Sequence, residues 1–129
     1  MHRLKKLRIQ RTPSLGSSPV YEAEIKDSGE VHYHGIDFVE KRGKHRWLVS
    51  YGQLALMAHA LHKAGYLEMD DRYDALIDDC PSCITSVEFS NGASKTITHL
   101  YSEESTFEPL YQLERTIEKI SEISKYIGE

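Results

Sequence analysis

The sequence predicts an α+β fold: a mainly antiparallel sheet of about six strands with two helices packed on one face. Three observations carry this. Short runs alternate apolar and polar residues between Gly- and Asn-containing turns, the pattern of β-hairpins. Residues 50–65 form a capped stretch with one apolar face at helical spacing. A second helical stripe runs through Leu110, Leu113, Ile117, Ile120, Ile123 and Ile127.

Residues 4–11, LKKLRIQR, alternate around Leu7 and Ile9 and predict a strand with a basic outer face. VYEAEIK and EVHYHGIDFV flank Asp27-Ser28-Gly29, which suits a three-residue turn with Gly29 left-handed. That register pairs Ile25 with Val31 and Ala23 with Tyr33 on one face, and Glu24 with His32 and Glu22 with His34 on the other. KRGK is a second turn, and HRWLV a further short strand.

SYGQLALMAHALHKAG reads as a helix. Ser50 and Gln53 have capping-box spacing, Leu54, Met57, Ala58, Leu61 and Ala64 share a face, and Gly65 supplies the stop. LEMDDRYDALIDDCPS keeps no period and reads as a loop. In CITSVEFSNGASKTITHL, Asn91-Gly92 favours a two-residue turn, which sets Glu88 opposite Lys95 and His99 opposite Ile84. The last helix is expected to run to Gly128 with Pro109 in its first turn.

With 129 residues, 40% hydrophobic and 28% charged, the chain is expected to form one folded domain, residues 1–129. No stretch approaches the roughly 18 apolar residues of a membrane span. The basic start MHRLKKLRIQ lacks the apolar core and cleavage site of a signal peptide, so a cytoplasmic protein with its two cysteines reduced is expected. Charge is uneven. Residues 1–65 hold eleven Lys/Arg against six Asp/Glu, whereas residues 66–129 hold five against fourteen. Two halves that attract each other within the fold explain this without a charged partner.

Residues 12–19 raise the question of a phosphate-cradling loop. Pro13 and Pro19 remove N–H donors, no Gly-Lys pair follows, and a strand rather than a helix comes next. The stretch reads instead as a wide connection, with Gly16 easing a tight bend, Pro19 setting the approach to the next strand and Tyr21 anchoring it.

Arg11, Thr12, Gly16, Pro19 and Tyr21, then Gly29, Val31, Tyr33, Gly35 and Gly43, are followed by Asp71, Tyr73, Asp79, Pro81, Ile84 and Thr85. In these residues the chain resembles a bacterial family, domain of unknown function 6438, over about residues 4–125. Members of that family look like Arg-Thr-x-Cys-x-Gly-x-Cys-Pro-x-Tyr in the opening loop. Here Ser14 and Ser18 stand at the two cysteine positions, so no thiol chemistry of that pair carries over. The resemblance implies a scaffold and brings no mechanism.

Several side-chain groups could carry chemistry. His32 and His34 share a strand face with Glu24 and Glu22, a set that could hold a divalent metal or move protons. A solvated hairpin face has the same appearance. Cys80 and Cys83 form a Cys-x-x-Cys motif that leads into a strand, without the helix N-terminus that lowers a redox cysteine's pKa. His59 and His62, one turn apart, would be needed to complete a zinc site. Two small residues at the start of a strand are the simpler reading. Lys41, Arg42, Lys44 and Arg46 beside Trp47 form a basic, aromatic-bearing tip of the kind seen in nucleic-acid binders. Asp70, Asp71, Asp74, Asp78 and Asp79 lack the spacing of a calcium loop. His99 reads as structural, and no catalytic triad or dinucleotide fingerprint is found.

The expectation is a small binding domain with a protein partner, no cofactor, no membrane contact and no catalytic residues. The alternatives are a metal-dependent or acid–base enzyme on the His32/His34 strand, and weak binding of an anionic ligand or nucleic acid at residues 41–46.

Overall fold

The computed structural model describes residues 2–14, 16–75, 80–102 and 106–129. Its strands are β1 (Leu4–Arg11), β2 (Val20–Lys26), β3 (Glu30–Asp37), β4 (Gly43–Leu48), β5 (Arg72–Tyr73), β6 (Ser82–Phe89) and β7 (Ser94–Leu100). They form one sheet in the order β4-β3-β2-β1-β6-β7-β5. All pairings are antiparallel except β5 with β7. Helices α1 (Tyr51–Ala64), α2 (Glu108–Ile120) and α3 (Ile123–Ile127) complete the fold. Among the described residues no helix is long and apolar enough to cross a membrane.

The first hairpin takes the register its sequence predicts. Gly29 has φ 93° and donates its N–H to Lys26 O, and Ile25, Ala23, Glu24 and Glu22 face Val31, Tyr33, His32 and His34. Helix α1 keeps its capping box between Ser50 and Gln53 and stops at left-handed Gly65.

Three expectations need correction. The acidic stretch read as loop contains a short strand, β5, after a 3-10 turn at Tyr66–Glu68, and β5 brings the expected sheet of about six strands to seven. A two-residue strand is too short for alternation to register. Asp78 and Asp79 of that stretch lie outside the described residues.

The β6–β7 register is also one residue off the two-residue-turn prediction. Phe89 N–H bonds Ala93 O, so Ser90, Asn91 and left-handed Gly92 form a three-residue loop. Glu88 then faces Ser94 and Lys95 faces Val87, while His99 faces Cys83 rather than Ile84. Glu88 points to Lys5 at 3.6 Å, and Lys95 reaches Asp71 at 2.7 Å.

Finally, the last helix breaks at Ser121-Glu122, where Glu122 has φ 70°. Side chains accept the loss of helical bonding: Gln53 Nε2 donates to Ile120 O and Trp47 Nε1 to Ser121 O, both at 2.9 Å. An unbroken apolar stripe gives no sign of such a break, because the partners come from distant elements.

The helices cover one face only. Across the paired strands the covered face reads Trp47, Val31, Ile25, Leu7, Val87 in one row and His45, Tyr33, Ala23, Ile9, Thr85, Ile97 in the next. Met57, Leu61, Leu110 and Ile117 pack among these residues in the core. The opposite face carries the intervening residues, Arg46, His32, Glu24, Arg8, Ser86 and Thr96 in one row and Lys44, His34, Glu22, Gln10, Ile84 and Thr98 in another.

Candidate functional site

Strand alternation alone assembles a groove of about 370 Å³ on the helix-free face. Arg8, Glu22, Glu24, His32, His34, Lys44 and Arg46 line it, on β1, β2, β3 and β4. Its charges interact loosely with one another: Arg8 meets Glu22 at 3.4 Å, Lys6 meets Glu24 at 3.3 Å, and Arg46 meets Glu30 at 3.9 Å. His34 Nδ1 lies 3.8 Å from Glu22 and His32 Nε2 3.9 Å from Glu30. Ion pairs this exposed contribute about 0–1 kcal/mol each, so the groove can exchange them for a ligand's groups at little cost.

The structure thus brings Glu22, Glu24, His32 and His34 onto one face with Lys44 and Arg46, but does not converge the first four. Among the described residues no cluster of three or more His, Cys, Asp or Glu could hold a metal ion. The carboxylates turn towards Arg8 and Lys6 instead.

The Cys–His set is scattered. Cys83 is buried near the start of β6, and His62 packs its ring on Phe89, at the other end of the same strand, 4.7 Å between centroids. Six residues of strand separate the two ends by roughly 20 Å. His59 is exposed on α1 and Cys80 precedes β6.

The basic tip also divides. Lys44 and Arg46 face the groove, Arg42 bonds Asp37 at 2.8 Å, and Lys41 offers its backbone N–H to Tyr126 O. Trp47 alternates to the opposite face and stacks on Tyr126 at 4.1 Å, so its ring is not available to a nucleic-acid base.

A second constellation escaped the sequence reading. At the ends of β1, β2, β6 and β7, the row Tyr21, Arg11, Cys83, His99 lies on the covered face beneath α2. Arg11 donates from Nε and Nη2 to both oxygens of Glu118, at 2.9 and 2.7 Å, and from Nη1 and Nη2 to Glu129. Tyr21 Oη donates to Glu118 Oε2 at 2.5 Å. His99 Nδ1 meets Glu114 at 2.9 Å, and Thr106 Oγ1 lies 3.4 Å from His99 Nε2.

Burial governs the charge states here. It drives the Tyr21 hydroxyl and the Cys83 thiol well above their ordinary pKa values, reinforced by Glu118 and Glu114 respectively. Burial also raises Glu114, against the opposing hydrogen bond from His99. For Arg11 burial acts the other way, but Glu118 and Glu129 together outweigh it and hold the guanidinium charged. A signal for this cluster existed. Alternation from Leu7 and Ile9 turns Arg11 inward, and Glu114 and Glu118 sit one turn apart on the stripe of Leu110, Leu113 and Ile117.

The opening loop leaves β1 directly after Arg11 of this cluster. Thr12 N–H bonds Ser82 O, their hydroxyls hydrogen-bond each other, and Gly16 N–H bonds Ser14 Oγ at 3.2 Å. Gly16 has no left-handed φ, and an added Cβ would meet nothing nearer than Ser14 Oγ at 3.7 Å. The chain bends at Gly16, but the bend does not depend on glycine's conformational freedom. The two ends of the loop, Arg11 and Tyr21, are instead tied together through Glu118.

Comparison with curated proteins gives no match. The model of one family, described as "Domain of unknown function (DUF6438)", matches residues 5–121. That span takes in the whole sheet from Lys5 onward and helices α1 and α2, so the chain belongs to the DUF6438 family.

Proposed function

We propose that the protein is a binding domain that receives an acidic, extended segment of a protein partner on the helix-free face of its sheet. The observation that carries this reading is the groove lined by Arg8, Lys44 and Arg46 together with Glu22 and Glu24. Both carboxylates are already engaged by Lys6 and Arg8, which leaves the β4 side of the groove positive. Apolar side chains flank the charged rows. Leu48 is 71% exposed at one end of the β3–β4 pair, and Ile36 and Phe38 are about half exposed towards the other. Leu48 lies opposite Glu30, six residues from Ile36, so the two ends stand roughly 20 Å apart. Such a span suits a peptide of about six residues with acidic centre and apolar ends. β4 is also an edge strand, able to pair with an added strand. A nucleic-acid ligand fits less well, since Trp47, the ring beside the basic residues of β4, is turned inward onto Tyr126 and cannot stack on a base.

The test is fluorescence anisotropy with a labelled peptide of four glutamates between two leucines. Binding at low salt that weakens about tenfold or more in Lys44→Glu/Arg46→Glu, with an unchanged thermal melt, supports the reading. No binding, or tighter binding of a single-stranded oligonucleotide, overturns it.

A further inference from the structure

On the helical side, independent of the open sheet face, Arg11 presents an unusual pair of partners. Its inner partner Glu118 is as buried as itself, with side-chain exposures of 3% and 2%. Its outer partner Glu129 is 44% exposed and reaches in from beyond α3, following left-handed Gly128. Glu129 takes the outer edge of the guanidinium end-on, Nη1 to Oε2 at 3.2 Å and Nη2 to Oε1 at 2.9 Å. Planar two-point contact of this kind is how arginine recognises a free carboxylate.

The surroundings hold more positive charge and more donors than one glutamate uses. A hollow of about 260 Å³ opens beside this contact, lined by Gln112, Arg115, Thr116, Lys119 and Ser124 together with Glu118 and Glu129. Arg115 Nε lies 2.8 Å from Glu118 Oε1, but off the line of its N–H bond, so Nε and Nη2 are buried with no hydrogen-bond acceptor. Its guanidinium is held in place by the rings of Tyr111 and Tyr101, at 5.0 and 5.9 Å. Around the hollow Arg115 and Lys119 balance Glu118 and Glu129, and Arg11 adjoins it as a third cation. Buried donors without acceptors are costly, and a second anionic group would relieve that cost.

We propose that the edge of Arg11 and the adjoining hollow form a binding site for a short dicarboxylate, and that Glu129 is its internal occupant. One ligand carboxylate takes the place of Glu129 on Arg11, and the other meets Arg115 and Lys119. No covalent step is involved. Glu129 competes as a tethered group, whose effective concentration is in the millimolar range or above, so the site in the unaltered protein is mostly closed to ligand. Displacement of Glu129 from its arginine is then the event that couples ligand binding to the segment after α3.

Isothermal titration with succinate tests the proposal. Glu129→Gln should bind succinate at least about tenfold more tightly than the unaltered protein. Adding Arg115→Met or Lys119→Met to that variant should remove the gain. Acetate, with one carboxylate, should bind more weakly than succinate. If Glu129→Gln does not fold, Glu129→Asp, one methylene too short for the two-point contact, replaces it. Equal affinity of variant and unaltered protein, equal response to acetate and succinate, or failure of both variants to fold overturns the proposal, the last because Glu129 would then be a strut.

Discussion

Removing a single oxygen from Tyr21 separates the contribution of the buried polar cluster from that of the apolar core around it. Tyr21 is fully buried, and its hydroxyl donates to Glu118 Oε2 at 2.5 Å. Tyr21→Phe keeps the ring, so no cavity of consequence opens. The loss is one hydrogen bond to a charged acceptor, about 1.5–3 kcal/mol. Glu118 retains the N–H groups of Arg11 on both oxygens, so it is not orphaned and the lower part of that range is expected. Tyr21→Ala would add about 3–5 kcal/mol for the missing ring. That total approaches the stability of many whole domains, about 5–15 kcal/mol, which makes the Phe variant the readable one. Urea unfolding should show a lower midpoint at unchanged slope. A double-mutant cycle with Glu118→Gln should return a coupling of about 1 kcal/mol or more. A Tyr21→Phe midpoint equivalent to less than about 0.5 kcal/mol, or no coupling to Glu118, would refute the cluster as the tie between β1, β2 and α2.

Other consequences follow from single side chains. Cys83 is buried and its thiol is held protonated by burial, so a thiol reagent at pH 8 should leave it unmodified in the native protein and label it on unfolding; native labelling at Cys83, located by peptide mass mapping, would contradict this. Gly35→Ala should destabilise by several kcal/mol or prevent folding, because the new Cβ would lie 2.2 Å from Lys41 O and 2.6 Å from Tyr33 Oη. Gly16→Ala should shift a thermal melt by little, and a large loss would mean that the loop is tighter than its geometry implies. Because burial raises the Glu114 pKa, the folded state holds that proton more tightly than the unfolded chain. Its stabilising contribution is complete below the ordinary glutamate range and is lost as pH rises through the raised folded value. The stability of the unaltered protein minus that of Glu114→Gln should therefore fall with rising pH across that window. A difference that rises with pH in denaturant melts would reverse the assignment.

The first hairpin and α1 were legible because their signals are local. Gly29 at the left-handed turn position sets a register, and Ser50 with Gln53 caps a helix from within one turn. Where the deciding contact came from far along the chain, sequence reading failed. Glu122 breaks the last helix where Trp47 and Gln53, more than sixty residues earlier, take up the freed carbonyls. The β6–β7 hairpin misled for a different reason: Asn91-Gly92 serves a three-residue loop as well as a two-residue turn, and a slip of one residue moves Lys95 to the opposite face from Glu88. For the groove, alternation was enough to put Glu22, Glu24, His32 and His34 together, but their distance from convergence on one point depends on which cations, Lys6 and Arg8, stand beside them.

The uneven distribution of charge is resolved inside the fold. Arg11, in the basic half, is held by Glu118 and Glu129 of the acidic half, and Lys5 pairs with Glu88. The first of these contacts is buried and spans most of the chain, so the acidic half neutralises the basic half where neutralisation is worth most. Breaking it from one side would leave an unpaired buried charge at a cost of about 3–5 kcal/mol. Arg8, Lys44 and Arg46, by contrast, have only loose partners or none close by on an open face. The same composition therefore does two different things on the two faces of one sheet. On the covered face charge closes the fold, and on the open face it remains exchangeable, which is what a docking surface for an acidic segment requires.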